Sequence, residues 1–289
     1  MLSVSFRANR AVAFFCAAAI VAAAVVFAAH ATLARAAVAP AEGIRLPVIM
    51  YHSMLKEQKR LGRYVVSPAE FESDLRLLKG KEYHTVTVQD LVDYVRTGRA
   101  LPEKPVMLTF DDGYYNNYTY AYPLAKKYGA KIVIAPIGYY TDLFSAKDAD
   151  HPNYSHLTWE EISEMMSSGL VEFQNHSYNL HGSGSRLGAQ KRRGESKQAY
   201  AALLQNDAGK MQSEMEEHTG YRPAAFIYPF GAASGDSDSI LRGMGFQATF
   251  LCTEKVNRIT RDPRCLYSLG RFLRPSGVSS ETFLRKIES

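Results

Sequence analysis

Short apolar runs alternate with longer amphipathic segments from residue 45 to the C-terminus of the chain. Runs such as "RLPVIMYH" (45–52) and "KPVMLTFDDG" (104–113) predict buried strands, because they lack the polar alternation of a half-exposed strand. Segments such as "SPAEFESDLRLLKG" (67–80) predict helices, here with a Ser cap, a Pro in the first turn and a Gly at the end. The chain therefore alternates between predicted strands and predicted helices.

The whole pattern predicts seven or eight strands with helices between them. The strands are expected at 45–52, 83–88, 104–113, 130–138, 170–177, 224–231, 246–252 and 266–273. The helices are expected at 67–80, 89–98, 116–128, 157–169, 198–219, 236–245 and 279–288. Such alternation indicates a largely parallel sheet. We therefore expect an α/β fold, a distorted (β/α) barrel of about seven strands, in a single domain over residues 45–289.

The first 36 residues have a different composition from the rest. "MLSVSFRANR" carries two arginines and no acid, residues 11–29 carry no charge, and an A-R-A sequence follows at 34–36. This is the pattern of an export signal. The 19 apolar residues also approach the length of a membrane-spanning helix. Residues 1–36 are thus either a cleaved signal or an N-terminal membrane anchor, followed by a linker at 37–44. Both alternatives predict a secreted or cell-envelope protein.

Charge and cysteine content narrow the function classes further. The net charge of +5 falls to +2 once Arg7, Arg10 and Arg35 of the N-terminal segment are set aside. No basic stripe interleaved with aromatics appears, so a nucleic-acid partner is not expected. Cys252 and Cys265 flank "TEKVNRITRDPR", a predicted surface excursion. A disulfide between them and two free thiols are both compatible with an oxidising compartment.

Polar motifs follow four of the predicted strands. His52 ends the first strand, Asp111 and Asp112 end the third, His176 ends the fifth, and "PFG" (229–231) ends the sixth. Functional sites of such folds lie at the carboxyl ends of the strands. Two adjacent carboxylates after an apolar strand are costly to bury unless each has a partner. Because neighbouring side chains on a strand diverge, we expect the two aspartates to have different roles.

The two histidines of "FQNHSYNLHG" (173–182) stand five positions apart. That spacing places His176 and His181 on different faces of either a helix or a strand. We expect the chain to leave regular structure between them, so that both rings meet a strand-end aspartate. Two imidazoles and one carboxylate suit Zn²⁺ or another borderline divalent ion. The second aspartate could then act as a general base.

These motifs together resemble the polysaccharide deacetylases, the carbohydrate esterase family that shares the NodB homology domain. The resemblance is carried by "TFDDG" (109–113), "HSYNLH" (176–181) and "YPFG" (228–231), with "LPVIMYHSM" (46–54) upstream. It implies a divalent metal, usually zinc, with Ni²⁺, Co²⁺ or Fe²⁺ as alternatives. By motif match it implies Asp111 as general base, and Asp112, His176 and His181 as metal ligands. It also implies that the Phe230 backbone N–H helps to form an oxyanion hole.

Three departures from the family pattern bear on the site. The histidine spacing is five, whereas four is common in the family. The longer spacing is similar to that of the branch of biofilm poly-N-acetylglucosamine deacetylases. The arginine that often precedes the aromatic-Gly turn is absent, and we expect Arg271 of "SLGRF" to orient the base in its place. No late "L-x-H-D"-like motif supplies a general acid. In the same branch a histidine on the opening strand does so, and His52 matches it.

The resemblance predicts an extracytoplasmic, metal-dependent deacetylase that hydrolyses N-acetyl groups of amino-sugar polysaccharides. Tyr114, Tyr115, Tyr178 and Arg271 are the candidate substrate-side residues, although each tyrosine could equally pack at the barrel mouth. We expect a monomer. An O-acetyl carbohydrate esterase and a catalytically impaired glycan-binding module are the two alternatives. The sequence does not choose between poly-N-acetylglucosamine, peptidoglycan and chitin-type substrates.

Overall fold

The computed structural model describes residues 43–147 and 150–289. The predicted signal or anchor at 1–36 and most of the predicted linker lie outside the described residues. Residues Glu42–Ser289 form one compact unit. Within the two described ranges, no helix combines the length and the apolar character needed to cross a membrane.

The strands are short, apart from the one that carries the two aspartates. They are β1 Ile44–Leu46, β2 Val48–Tyr51, β3 Ser53–Met54, β4 Val65–Val66, β5 His84–Thr85, β6 Pro105–Asp112, β7 Ile132–Pro136, β8 Val171–Phe173, β9 Ala225–Ile227, β10 Ala248–Phe250, β11 Asn257–Ile259 and β12 Phe272–Leu273. The helices are α1 Pro68–Gly80, α2 Val88–Thr97, α3 Tyr122–Tyr128, α4 Gly138–Ser145, α5 Trp159–Ser167, α6 Lys197–Thr219, α7 Ser237–Gly243 and α8 Ser280–Glu288.

Seven parallel strands form a closed ring. Strands β12, β2, β6, β7 and β8 lie side by side in that order, and β9 pairs in parallel with β10. Two single bridges complete the circuit. Asn175 just after β8 bridges to Phe226 in β9, and Phe250 in β10 bridges to Leu269 just before β12. The distorted (β/α) barrel of about seven strands is therefore confirmed.

Strand β6 is the longest strand of the ring, and all eight of its residues are buried. Its alternate side chains Val106, Leu108 and Phe110 join the main apolar core with the surrounding helices. Side chains alternate along a strand, so Thr109 and Asp111 point to the opposite face, into the barrel. A strand buried on both faces explains the unbroken apolar run in the sequence.

Local capping chemistry sets several helix boundaries as predicted. Ser67 caps α1 through a reciprocal capping box with Glu70, and Thr158 caps α5 in the same way with Glu161. The strand predicted at 83–88 is shortened to β5 for the same physical reason. Thr87 forms a capping box with Asp90 and starts α2 at Val88. A side-chain cap that satisfies the first free N–H groups outweighs the β-propensity of this segment.

In the C-terminal third, one expectation is corrected and one open alternative is decided. The segment 253–264 is not only a surface excursion, because β11 pairs antiparallel with β1 and the Asn257 amide donates to the carbonyls of Leu46 and Gly270. Cys252 and Cys265 are both free thiols. The Cys252 sulfur lies against Met50, whereas the Cys265 sulfur lies against Thr260, so each thiol has a different neighbour.

A buried ion pair joins the last strand to α1. The Arg274 guanidinium donates to both carboxylate oxygens of Asp74, at 2.8 and 3.0 Å, and Tyr51 donates to the same carboxylate at 2.9 Å. Both charged side chains are at most 5% exposed. Removing one partner of such a pair leaves an uncompensated charge in the interior.

We predict that Asp74→Asn lowers the free energy of unfolding by about 3–5 kcal/mol, measured by urea denaturation. Lys127→Ala is the matched control, because it removes an ion pair with Glu72 in which the lysine is 61% exposed. That change should cost less than about 1 kcal/mol. Equal losses for the two variants would contradict a structural role for the Asp74–Arg274 pair.

Candidate metal centre and catalytic cleft

The predicted strand-end motifs meet at one edge of the barrel. Strand β2 leads into His52, β6 ends at Asp111 and Asp112, β8 leads into His176, and β9 leads into the turn Pro229–Gly231. They surround an open cleft of about 610 Å³. Its lining residues are Met50, His52, Ser53, Arg63, Tyr64, Val65, Asp111, Asp112, Tyr114, His176, His181, Phe230, Cys252, Glu254 and Leu273.

Asp111 is held from inside the barrel by Arg271. The two terminal guanidinium nitrogens of Arg271 donate to the two carboxylate oxygens at 2.6 and 2.8 Å. The arginine is completely buried, and it also donates to the Leu251 carbonyl and to the Thr109 hydroxyl. Burial alone would raise the pKa of Asp111, but the Arg271 guanidinium together with His176 and His52 holds that pKa below its ordinary value. Asp111 is thus an oriented, ionised carboxylate.

Asp112 leaves the regular strand conformation and so turns its side chain into the same cleft. Its φ is 72°, in the left-handed region that non-glycine residues seldom adopt. Gly113 follows with φ 69°, and a Cβ there would lie only 2.6 Å from Pro136 Cβ. The turn therefore requires glycine at 113. Without this turn, the two adjacent carboxylates would point to opposite faces of the sheet.

His176 and His181 both face one oxygen of Asp112. The His176 Nε2 lies 3.4 Å and the His181 Nε2 3.1 Å from Asp112 Oδ1. Ser177, with φ 71°, turns the chain after the bridge at Asn175, and its hydroxyl accepts from the Leu180 N–H at 3.0 Å. The loop between the histidines thus turns back on itself, and this turn explains how two rings five positions apart reach the same carboxylate.

Three donor atoms converge as a cation site requires. The Nδ1 of His176 lies 2.8 Å from the Ile227 carbonyl oxygen, which can only accept, so Nδ1 carries the proton. The Nε2 lone pair then points towards Asp112 Oδ1, a buried atom with no hydrogen-bond partner in the described part of the chain. Acceptors facing one another are stable only with a positive charge between them. One ligand atom from each of Asp112, His176 and His181 lies within 4.8 Å of the others.

The electrostatics show that this cluster attracts positive charge. Burial would raise the pKa of Asp112, but the two imidazoles outweigh it and hold the pKa well below the ordinary value. Burial would lower the pKa of His181, but the Asp112 carboxylate outweighs it and raises the pKa. Two histidines and one carboxylate, with the cleft open beside them, fit a divalent ion of the zinc type.

His52 lines the same cleft and lies beside Asp111. Its Nε2 is 3.9 Å from Asp111 Oδ2, and the edge of Tyr64 packs against its ring at 4.9 Å between centroids. Burial lowers the pKa of His52 more than the neighbouring carboxylates raise it. The ring is thus neutral near pH 7, with one nitrogen able to accept a proton while the other donates one.

The substrate-side predictions fare differently from one another. Tyr114 lines the cleft, and Phe230 at φ 58° exposes its ring beside His181. Tyr115 and Tyr178 do not line it. The Tyr178 hydroxyl donates to Asp142 at 2.8 Å, and the Tyr115 ring lies beside that of Tyr118. Arg271 cannot contact substrate as a lining residue, because its guanidinium is buried behind Asp111.

Sequence reasoning missed five polar or aromatic lining residues. They are Ser53, Arg63, Tyr64, Cys252 and Glu254. Tyr64 and Arg63 precede the short strand β4, whereas Cys252 and Glu254 follow β10. The end of β10 could have signalled the second pair, since it lies at the same edge of the sheet as the other motifs. No comparable signal marked Tyr64.

Comparison with known proteins places this arrangement in a family. The model of the family described as polysaccharide deacetylase matches residues 98–249, more than half of the chain, including Asp111, Asp112, His176 and His181. The chain belongs to the polysaccharide deacetylase family. The family resemblance implied by the sequence motifs is therefore confirmed.

Several members of the polysaccharide deacetylase family are similar over most of this chain. The poly-beta-1,6-N-acetyl-D-glucosamine N-deacetylase of Escherichia coli K12 is 26% identical over 83% of this chain, which spans 38% of that relative's length. The solved structure of a de-N-acetylase from Aggregatibacter actinomycetemcomitans is 28% identical, with a TM-score of 0.71 over 84% of this chain and 99% of that one. IcaB from Ammonifex degensii is 29% identical, with a TM-score of 0.70 over 86% and 99%.

A second group of potential ligands lies away from the deacetylase-family motifs. Asp142, Glu214 and His218 also place one atom each within 4.8 Å of the others. The two Asp142 oxygens already accept from Trp159 Nε1 and Tyr178 Oη. His218 stacks on Trp159 at 4.7 Å and is 40% exposed in its side chain. Because the Asp142 oxygens are already engaged, this group serves as a control for the metal-binding measurement.

We predict that metal-free protein binds one Co²⁺ or Zn²⁺ per chain, measured by isothermal titration calorimetry. His176→Ala should weaken this binding by at least about 100-fold, because loss of a ligand exceeds the loss of an outer-shell partner. His218→Ala should leave both stoichiometry and affinity unchanged. Retained affinity in His176→Ala would contradict the assignment of the ligands.

Proposed function

We propose that this chain is an extracytoplasmic, divalent-metal-dependent deacetylase that hydrolyses the acetamide groups of an amino-sugar polysaccharide. The observation that carries the proposal is the juxtaposition of two units in one cleft. One is the Asp111 carboxylate fixed by Arg271, and the other is the Asp112, His176 and His181 set. An ionised base beside a cation site is the combination that hydrolysis of an unactivated amide needs.

Asp111 takes the role of general base. Its two oxygens are fixed by two charged hydrogen bonds from Arg271, so little reorientation is needed when it accepts the proton of the attacking water. Its lowered pKa keeps it ionised over the whole neutral range. A carboxylate with one protein cation behind it can still use its outer lone pairs towards the cleft.

His52 returns the proton to the leaving nitrogen. The proton taken from water must finish on the amine, because the amide nitrogen leaves as a poor anion unless it is protonated. At Nε2, the nitrogen that faces Asp111, a neutral imidazole can accept the proton that Asp111 took from water and then donate it to the amine, whereas Nδ1 is buried. The separation of 3.9 Å between His52 Nε2 and Asp111 Oδ2 supports this exchange. Water is thereby added across the C–N bond, giving acetate and an amine.

The Asp112, His176 and His181 set would hold the metal ion. A divalent cation there would act as a Lewis acid towards the acetamide carbonyl and the attacking water. The family resemblance adds the backbone N–H of Phe230 as a donor to the oxyanion. The position of Phe230 in a turn next to His181 supports this role.

The substrate class follows from the relatives. The similar E. coli protein is named a poly-beta-1,6-N-acetyl-D-glucosamine N-deacetylase, so a β-1,6-linked N-acetylglucosamine polymer is the first candidate. Such a polymer lies outside the cytoplasm, which agrees with the export or anchor pattern of residues 1–36. Peptidoglycan and chitin-type chains carry the same acetamide and are the next candidates.

Arg271 weighs against the impaired glycan-binding module. That alternative arose because the family arginine before the aromatic-Gly turn is missing. Arg271 makes a bidentate contact with Asp111 from a different strand and therefore supplies the positioning that the missing residue would have given. The O-acetyl esterase alternative involves the same cleft, and only the substrate distinguishes it.

We predict that zinc- or cobalt-loaded protein releases acetate from β-1,6-linked N-acetylglucosamine oligomers. Asp111→Asn should lower kcat by about 10²–10⁴-fold, the usual contribution of a general base, while leaving metal stoichiometry intact. Acetate would be quantified by a coupled enzymatic assay. His84→Ala is the control, because His84 is exposed and pairs with the start of β6 at the opposite edge of the barrel.

Acetyl-xylan, peptidoglycan and chitin oligomers belong in the same assay. Faster release from acetyl-xylan than from every N-acetylated substrate would favour the esterase alternative. No release from any of them by metal-loaded protein would contradict the enzymatic proposal.

A further inference from the structure

Two neighbouring tyrosines are unusually exposed beside the cleft. Tyr139 and Tyr140 are 41% and 37% exposed, and both stand in the first turn of α4. Helix α4 starts directly after β7, so its first turn lies at the carboxyl edge of the barrel, where the cleft opens. We call Tyr139 and Tyr140 the outer tyrosine pair.

A continuous set of rings connects this pair to the cleft. Tyr114 lines the cleft, and its ring centroid lies 4.8 Å from that of the buried His156. His156 in turn stacks on Tyr140 at 4.5 Å with an interplanar angle of 15°. The Nδ1 of His156 also lies 3.0 Å from the Asp112 carbonyl oxygen. Contacts between neighbouring rings therefore connect Tyr114 in the cleft to the outer tyrosine pair, through the buried ring of His156.

The outer tyrosine pair stands on a rigid base. The Tyr139 N–H donates to the Tyr178 carbonyl at 2.8 Å, and the Tyr178 hydroxyl is fixed to Asp142. Gly138 permits this close packing, because a Cβ there would lie 2.7 Å from the Tyr178 ring and 2.6 Å from the Met211 sulfur. A ligand that stacks on these rings would lose little free energy to ordering them.

We propose that the outer tyrosine pair is a sugar-stacking subsite for the units of a β-linked N-acetylglucosamine chain that extend beyond the cleft. This inference rests on the proposed function and deepens it. The cleft, at about 610 Å³, has the size of a pocket for a drug-sized ligand, so a polymer must continue outside it. The ring contacts from Tyr114 through His156 to Tyr140 place the exposed tyrosines beside the cleft, where the next sugar units would lie.

The chemistry of the pair favours a sugar over a protein or a membrane. Tyrosine offers a flat apolar ring for the C–H face of a pyranose and a hydroxyl for its polar edge. The hydroxyls of Tyr139 and Tyr140 make no hydrogen bond to another residue in the described ranges. An extended apolar patch, which a membrane or protein contact would need, is not formed by the exposed large hydrophobics of the described residues. Leu187 is the one markedly exposed leucine, isoleucine, valine or methionine among the described large hydrophobics.

The test compares short and long substrates. Tyr139→Ala/Tyr140→Ala, in metal-loaded full-length chain, should raise KM for a β-1,6-linked N-acetylglucosamine hexamer about tenfold and leave its kcat unchanged. For the disaccharide, which does not reach beyond the cleft, KM should change less than about twofold. Tyr128→Ala is the matched control, because Tyr128 ends α3 just before β7 and therefore lies at the opposite edge of the barrel.

Direct binding separates this inference from the proposed function. Calorimetric titration of the hexamer into the same variants should show about tenfold weaker binding for the double variant alone. If acetate is released but the double variant matches wild type on the hexamer, the subsite is wrong and the enzymatic proposal stands. If no acetate is released but the double variant still weakens hexamer binding, the subsite stands alone. Equal losses on both chain lengths, or no hexamer binding by wild type, would overturn the subsite.

Discussion

The buried ion pair between Asp111 and Arg271 is the constraint on which the site depends. A carboxylate inside an apolar barrel is costly unless a charged partner donates to it directly. Arg271 precedes β12, and Asp111 ends β6, two strands away in the ring. Both Asp111 oxygens accept a hydrogen bond from Arg271, at 2.6 and 2.8 Å. The same contact therefore links the start of β12 to the end of β6 and fixes the orientation of the base. The contact that holds the two strands of the barrel together is therefore also the contact that orients the base.

Backbone conformation contributes the second constraint. Asp112, Ser177 and Phe230 all have φ between 58° and 72°, and all three stand where a strand meets the cleft. Non-glycine residues pay about 1–3 kcal/mol for such conformations, and functional sites are where they collect. Here each of the three residues changes the direction of the backbone at the edge of the cleft. Asp112 turns into the cleft, Ser177 starts the loop to His181, and Phe230 brings its ring to that histidine.

Much of this could be predicted, and the misses have physical causes. Continuous apolar runs predicted the buried strands, and polar residues at the ends of those runs predicted His52, Asp111, Asp112 and His176. Helix α4 was not predicted, because "GYYTDLFS" starts with glycine and has no capping side chain. The sequence predicts a surface excursion where β11 lies, because this strand pairs only with distant β1. Contacts that join remote segments leave little trace in a local pattern, and the lining residue Tyr64 is another example.

The position of Arg271 is the most instructive case. The sequence offered it only as a replacement for a missing arginine, and its contact with Asp111 appears only when the ring closes. The most direct measurement is therefore kcat of metal-loaded Arg271→Ala with and without added guanidinium. We expect kcat to fall by about 10²-fold or more, to be partly restored by guanidinium, and the metal stoichiometry to stay unchanged. Undiminished activity without guanidinium would contradict it, because Asp111 would then be an effective base without its positioning partner.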